Sequence, residues 1–195
     1  MKIGVLALQG AVREHLRMLE RAGAEATAVK RPEHLADLAG LVIPGGESTT
    51  ISKLMNQYGL TEPIREMADS GKPLFGTCAG LILLAKRIEG SESAHLGLLD
   101  VTVRRNAFGR QRESFEADLP VAGVADNFRA VFIRAPYITE TGPGVDVLSR
   151  IDDKIVAVQQ GHLLASAFHP ELTGDVRMHA YFVEMVRKAS AVQAI

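Results

Sequence analysis

The sequence contains one cysteine, Cys78, in 195 residues. A lone thiol forms no internal disulfide, so a small secreted scaffold held by bridges is excluded and a reducing cytoplasm fits best. Neither sign of charge is in excess. Lys and Arg number 22 against 23 Asp and Glu, a formal charge of -1 that exerts no net pull toward nucleic acid or an anionic membrane. Long hydrophobic runs are missing too. The opening run, residues 3–8, is shorter than the ~7–15-residue core of a signal peptide and leads into Arg13 and Glu14, so it reads as a first strand. No stretch approaches the ~18 apolar residues of a membrane-spanning helix. Repeats, low-complexity tracts and linkers are also lacking. With 47% hydrophobic and 23% charged residues, the chain has the material for one buried core, and residues 1–195 are expected to form a single domain.

In the first half the hydrophobic pattern alternates between strand and helix. Strands are expected over residues 2–8, 25–30, 41–44 and 73–77, with helices near 11–22, 48–57, 62–70 and 79–86. The first helix carries Val12, Leu16 and Leu19 on one face and meets Gly23 where it should stop. This order implies a parallel sheet covered on both faces. The second half turns to short β-rich runs at 98–105, 130–134, 145–151, 155–159 and 163–168, with Asp152-Asp153 and Gly161-His162 as hairpin turns. A closing helix over 175–188 presents Met178, Phe182 and Met185 as one stripe. The polar residues 104–118 read as a mobile surface loop.

Gly76-Thr77-Cys78-Ala79-Gly80 follows an apolar strand and precedes an apolar helix, the setting of a nucleophile elbow with Cys in place of Ser. Such a turn pushes the central side chain into a cleft and needs small flanking residues, because neighbouring chain passes close. It also sets the thiol at a helix N-terminus, where free N–H groups favour a negative sulfur. The plainer alternative is a small buried hydrophobe.

His169-Pro170-Glu171 ends the run 163–168. In extended chain, residues two apart share a side, so Glu171 is expected to orient His169, unless the tripeptide is only a surface turn. A zinc-deaminase reading of His-x-Glu fails because it needs further cysteines.

Pro44-Gly45-Gly46-Glu47-Ser48-Thr49-Thr50 follows the strand at 41–44. Glycines at the carboxyl end of a parallel strand let backbone N–H groups face a ligand, as an oxyanion hole requires. A phosphate loop is disfavoured by the missing Gly-Lys-Ser/Thr ending, and Ser48 also suits a helix N-cap. Arg104-Arg105 and Arg134 are placed to clamp a carboxylate if they are not merely solvated. His15, His34, His95, His162 and His179 read as structural or surface residues.

Together these three motifs resemble the class I, triad-type glutamine amidotransferases, and the similarity runs end to end. The opening Gly4-Val5-Leu6-Ala7-Leu8-Gln9-Gly10-Ala11-Val12-Arg13-Glu14-His15 and Glu47-Ser48-Thr49-Thr50 resemble the branch of that family serving pyridoxal 5'-phosphate synthesis. The resemblance implies a three-layer, flavodoxin-like α/β domain with a mostly parallel central sheet and added antiparallel strands in the second half. It implies Cys78 as nucleophile, His169 as base and then acid, and Glu171 as orienting carboxylate. Glutamine would be held by Gly46, Glu47, Ser48, Arg105, Ile133 and Arg134, with the N–H groups of Gly46 and Ala79 as oxyanion hole. The family uses no cofactor or metal for this step. Its partner is a separate pyridoxal 5'-phosphate synthase subunit in a hetero-oligomer, with Gln9 near that partner. A flavodoxin-like cysteine hydrolase or stress protein acting on another substrate is the alternative, and a non-catalytic binding module is a further one.

Overall fold

A computed structural model describes residues 1–109 and 113–195 of the chain. The first half alternates strand and helix as the pattern predicts. β1 (Lys2–Leu6), β2 (Glu25–Val29), β3 (Gly40–Ile43) and β4 (Leu74–Thr77) are joined through α1 (Val12–Arg21), a 3-10 turn (Pro32–Leu35), α2 (Ser48–Gln57) and α3 (Thr61–Asp69). These strands pair in the order β2-β1-β3-β4, all parallel, and β4 pairs in parallel with β12 (Leu163–Ser166). β3, β4 and β12 are buried at every residue, which is why they read as unbroken apolar runs rather than alternations.

Beyond β12 the sheet becomes largely antiparallel. β11 (Lys154–Gln160) pairs with β12, β10 (Asp146–Ile151) and β9 (Tyr137–Thr141), and β6 (Leu99–Arg104) joins β9 to a parallel edge strand, β5 (Ala85–Ile88). Apart from this ten-stranded sheet, β7 (Ser114–Val121) and β8 (Ala125–Ile133) form a separate two-stranded ribbon. The chain closes with α5 (Arg177–Gln193).

Successive residues of β4 show the three layers. The Phe75 ring lies 5.5 Å from that of Phe182 on α5. Gly76, pointing the other way, faces α4 (Ala79–Leu84), where an added Cβ would stand 2.8 Å from Leu84 Cδ1. Helices therefore cover both faces, and the architecture is the flavodoxin-like α/β fold implied by the resemblance. Among the described residues no helix is long and apolar enough to cross a membrane.

Several boundaries differ from the sequence-based expectation. The helix predicted over 79–86 ends at Leu84, and Ala85, at φ -61° and ψ 139°, turns the chain into the unpredicted strand β5. Residues 114–118, read as part of a mobile loop, begin β7, and residues 110–112 of that loop lie outside the described residues. β7 carries Phe115, Ala117, Leu119 and Val121 toward the core and polar groups outward, a period-two pattern that overall polarity masks. β9 is a further strand beyond those expected, β8 starts earlier than residue 130, and α5 spans Arg177–Gln193 rather than 175–188.

Candidate active site

The turn from β4 into α4 holds Cys78 at φ 51°, in the left-handed region that non-glycine residues seldom occupy. Such strain costs about 1–3 kcal/mol and persists only where the surroundings enforce it. Here they do. The Cys78 N–H donates to Ser166 O at 2.8 Å, fastening the turn to β12. An added Cβ at Gly76 would meet Gly80 O at 2.5 Å, and one at Gly80 would meet Ile43 O at 2.0 Å, so both glycines of the motif are required by close backbone approach. The thiol is free, 7% exposed, and 3.8 Å from Ile133 O.

His169 and Glu171 do come together, but not through extended chain. β12 stops at Ser166, and Pro170–Leu172 forms a 3-10 turn with its Pro at the first position. That turn brings His169 Nδ1 to 2.6 Å from Glu171 Oε1. The His169 N–H donates to Val131 O at 2.8 Å, anchoring the residue to β8. Burial alone would lower the His169 pKa. Hydrogen bonds to Cys78 and Glu171, and their charges, outweigh it and raise the value to about 10. The ring thus keeps its second proton at neutral pH, between sulfur and carboxylate.

The glycine loop closes the site from β3. An added Cβ at Gly45 would lie 2.5 Å from His169 Cε1 and 3.4 Å from Cys78 Cβ, so this backbone passes directly over both side chains. The segment after β1 braces the loop. Gln9 Oε1 accepts from the Glu47 N–H at 2.8 Å, and Gly10, at φ 100°, presses on Gly45 O, where an added Cβ would come within 1.7 Å. The N-cap of α2 is Glu47, not Ser48, which lies inside the helix. The Glu47 carboxylate accepts from the N–H of Thr49 at 3.3 Å and of Thr50 at 2.8 Å. Hydrogen bonds from the hydroxyls of Thr49 and Thr50 lead the causes that hold its pKa down to about 2.

Gly46, Glu47, Ser48, Cys78, Ala79, Arg105, Ile133, Arg134 and His169 all line one cavity of about 620 Å³, and Glu171 stands behind His169. Arg105 and Arg104 take different paths. Arg104 turns to Glu89 at 2.6 Å and to the Tyr137 hydroxyl at 2.8 Å, whereas Arg105 faces the cavity with one guanidinium nitrogen 3.3 Å from His95 Nε2. Asn106 and Arg134 each have φ 45°, so three of the four non-glycine residues with positive φ among those described border this cavity. A somewhat larger hollow, about 720 Å³, lies between β7, β8 and β10, with Asp126, Arg150 and Arg177 as its charged lining and no nucleophile-base pair.

Sequence reasoning overlooked Gly10 and Asn106 as parts of this site, and took His15 and His179 for structural or surface residues. Both histidines are 0% exposed, and His15 stands immediately behind Glu171. Their positions on the apolar stripes of α1 and α5 were the available signal.

The chain is similar to known proteins over nearly its whole length. The pyridoxal 5'-phosphate synthase subunit PdxT of Niallia circulans is 65% identical over 189 residues, covering 97% of this chain and all of its own length. PdxT of Geobacillus kaustophilus strain HTA426 is 61% identical over 195 residues, the full length of both. A crystal structure of a glutamine amidotransferase superposes with a TM-score of 0.91 at 54% identity, covering 95% of this chain and 98% of its own. The profile of the SNO glutamine amidotransferase family matches residues 5–188, a span that takes in the glycine loop, the cysteine elbow and the His-Pro-Glu turn, and the chain belongs to that family.

Proposed function

We propose that this chain is the glutaminase subunit of a pyridoxal 5'-phosphate synthase. It hydrolyses L-glutamine to L-glutamate and ammonia, and passes the ammonia to a separate synthase subunit. The observation that carries this reading is the meeting of three distant motifs at one cavity, with His169 hydrogen-bonded to Glu171 and both Cys78 and His169 lying against Gly45. The names of the full-length relatives support the choice of pathway.

In the reaction the Cys78 sulfur attacks the side-chain amide carbon, and the N–H groups of Gly46 and Ala79 hold the resulting oxyanion. The carbon–nitrogen bond then breaks as His169 delivers its proton to the departing nitrogen, leaving a glutamyl thioester. Water, giving a proton back to His169, attacks the thioester and releases glutamate and the sulfur. Glu171 keeps the ring aligned throughout. Arg105 and Arg134 supply cations for the substrate carboxylate, and the ionised Glu47 an anion for its ammonium, with Ser48 and Ile133 completing the pocket. Oxyanion donors are worth about 10²–10³ in rate each and proton delivery about 10²–10⁴, so these terms outweigh thiol ionisation.

Residues 1–195 act as one domain, in the cytoplasm. The isolated chain is expected to hydrolyse glutamine weakly and the synthase partner to stimulate it, because ammonia lost to water is protonated and wasted. Following glutamate release with and without the partner tests this. Strong stimulation supports the coupling, and equal turnover overturns it.

A further inference from the structure

A buried polar chain continues behind the triad, linking it to two helices on the far face of the sheet. His15 on α1 and His179 on α5 meet with His15 Nδ1 2.8 Å from His179 Nε2. The other ring nitrogen, His15 Nε2, lies 3.1 Å from the hydroxyl of Thr77, the residue before Cys78, and 3.5 Å from Glu171 Oε2. Glu171 Oε1 is engaged by His169, whereas Oε2 is sealed from solvent and has no hydrogen-bond partner among the described residues.

These contacts decide where the hydrogens sit. A buried carboxylate oxygen 3.5 Å away is attracted by an N–H and repelled by a bare nitrogen lone pair, which puts the hydrogen of His15 on Nε2, where it also faces the Thr77 hydroxyl oxygen at 3.1 Å. His15 Nδ1 must then accept, and His179 Nε2 donates to it. A separate observation agrees. His179 Nδ1 is buried with no partner, and an orphaned lone pair there is less costly than an orphaned N–H. Burial keeps both rings neutral, lowering His179 to about 3 and His15 well below the ordinary range.

We propose that His15, its tautomer fixed by His179, is a positioning residue of the glutamine reaction, its Nε2–H holding the outer oxygen of Glu171 so that the inner oxygen stays on His169. The inference rests on the glutaminase reading of the triad. It also gives the β1–α1 segment two duties, since Gln9 braces the loop over the thiol while His15 braces the carboxylate. An imidazole needed only to tie α1 to α5 would not have to face the triad carboxylate. With an apolar ring at position 15, Oε2 would lose the N–H 3.5 Å from it, and the Glu171–His169 alignment would loosen.

The test compares wild type, His15→Phe and His15→Gln in the full chain mixed with the synthase subunit, with melting curves to establish folding. Phe keeps the bulk and removes the N–H, whereas the Gln amide can return an N–H near Nε2. We expect His15→Phe to lower kcat for glutamine about 10- to 100-fold with KM nearly unchanged, and His15→Gln to recover most of the loss. Nitrogen-15 NMR of labelled histidines in the wild type should show His15 as the neutral Nε2–H tautomer between about pH 6 and 8. Wild-type kcat in a folded His15→Phe, or an Nδ1–H tautomer at His15, overturns the proposal. If the Phe variant does not fold, the wild-type tautomer and His15→Gln decide. If wild type itself releases no glutamate, the glutaminase reading fails, and the tautomer still judges the placement of His15.

Discussion

The two walls of the catalytic cavity are built on opposite terms. Cys78, His169 and Glu171 are 7%, 8% and 5% exposed and follow strands at the centre of the sheet, and His169 and Glu171 are already hydrogen-bonded. Across from them Gly46, Glu47, Ile133 and Arg134 are exposed and Arg105 is half-buried, at strand and helix ends beside the left-handed backbone of Asn106 and Arg134. On the proposed function, the bond-making groups are fixed by the core before substrate arrives, whereas the recognition groups sit where water, substrate or a partner subunit can reorder them. If this division holds, damage to the buried wall should fall on kcat and damage to the open wall on KM.

The largest effect is expected from Cys78→Ala, which removes the nucleophile and should reduce glutamate release by about 10⁴-fold or more without unfolding the chain. Next comes Glu171→Gln. With a carboxylate replaced by an amide, kcat should fall about 10²-fold or more at nearly constant KM, and the alkaline limb of its pH profile should move to lower pH. The sign follows from His169, whose folded pKa of about 10 exceeds the ordinary 6.5. Its bound proton stabilises the fold fully below pH 6.5, and that contribution is lost as pH rises through about 10. Melting curves across this window should show the loss in wild type and a smaller loss in Glu171→Gln.

On the open wall, Arg105→Ala should raise KM for glutamine about 10- to 100-fold, the worth of a charge-assisted hydrogen bond, while changing kcat much less. A loss confined to kcat would break the division between the walls. The smallest effect belongs to Thr49→Val with Thr50→Val, which removes the hydroxyls leading the depression of Glu47. Its folded pKa of about 2 lies below the ordinary 4.5, so this contribution is present above pH 4.5 and lost as pH falls through about 2. Because Glu47 is exposed, the pair of substitutions should shift stability at neutral pH only slightly, and mainly flatten the acid limb in titrated unfolding.

Much of the buried wall could be read in the sequence, because its constraints are local. Gly76 and Gly80 mark where backbone must pass close, and they frame the one cysteine. The His169–Glu171 pairing was also legible, though the 3-10 turn at Pro170 achieves it rather than strand alternation. What lay hidden depended on distant packing. The ribbon strand β7 was masked by the charged residues on its outer side. Glu47 displaced Ser48 as N-cap because two successive threonines complete its hydrogen bonds. His15 lies on the same helical face as Val12 and Leu19, and His179 beside Met178 and Phe182, a signal that the reading of both as structural or surface residues did not use. That His15 would arrive at the carboxylate of Glu171, with His179 behind it, could be known only once α1, α5 and the turn after β12 had been brought together.

The central claim is that Cys78 forms a bond to the substrate while His169 delivers the proton. It is tested most directly by acid-quenching the chain during turnover on glutamine with its synthase partner, then measuring intact and peptide masses. The account predicts a glutamyl adduct on the peptide carrying Cys78, absent in Cys78→Ala together with glutamate release. Undiminished release from Cys78→Ala, or sustained turnover with an adduct on another residue, would contradict it.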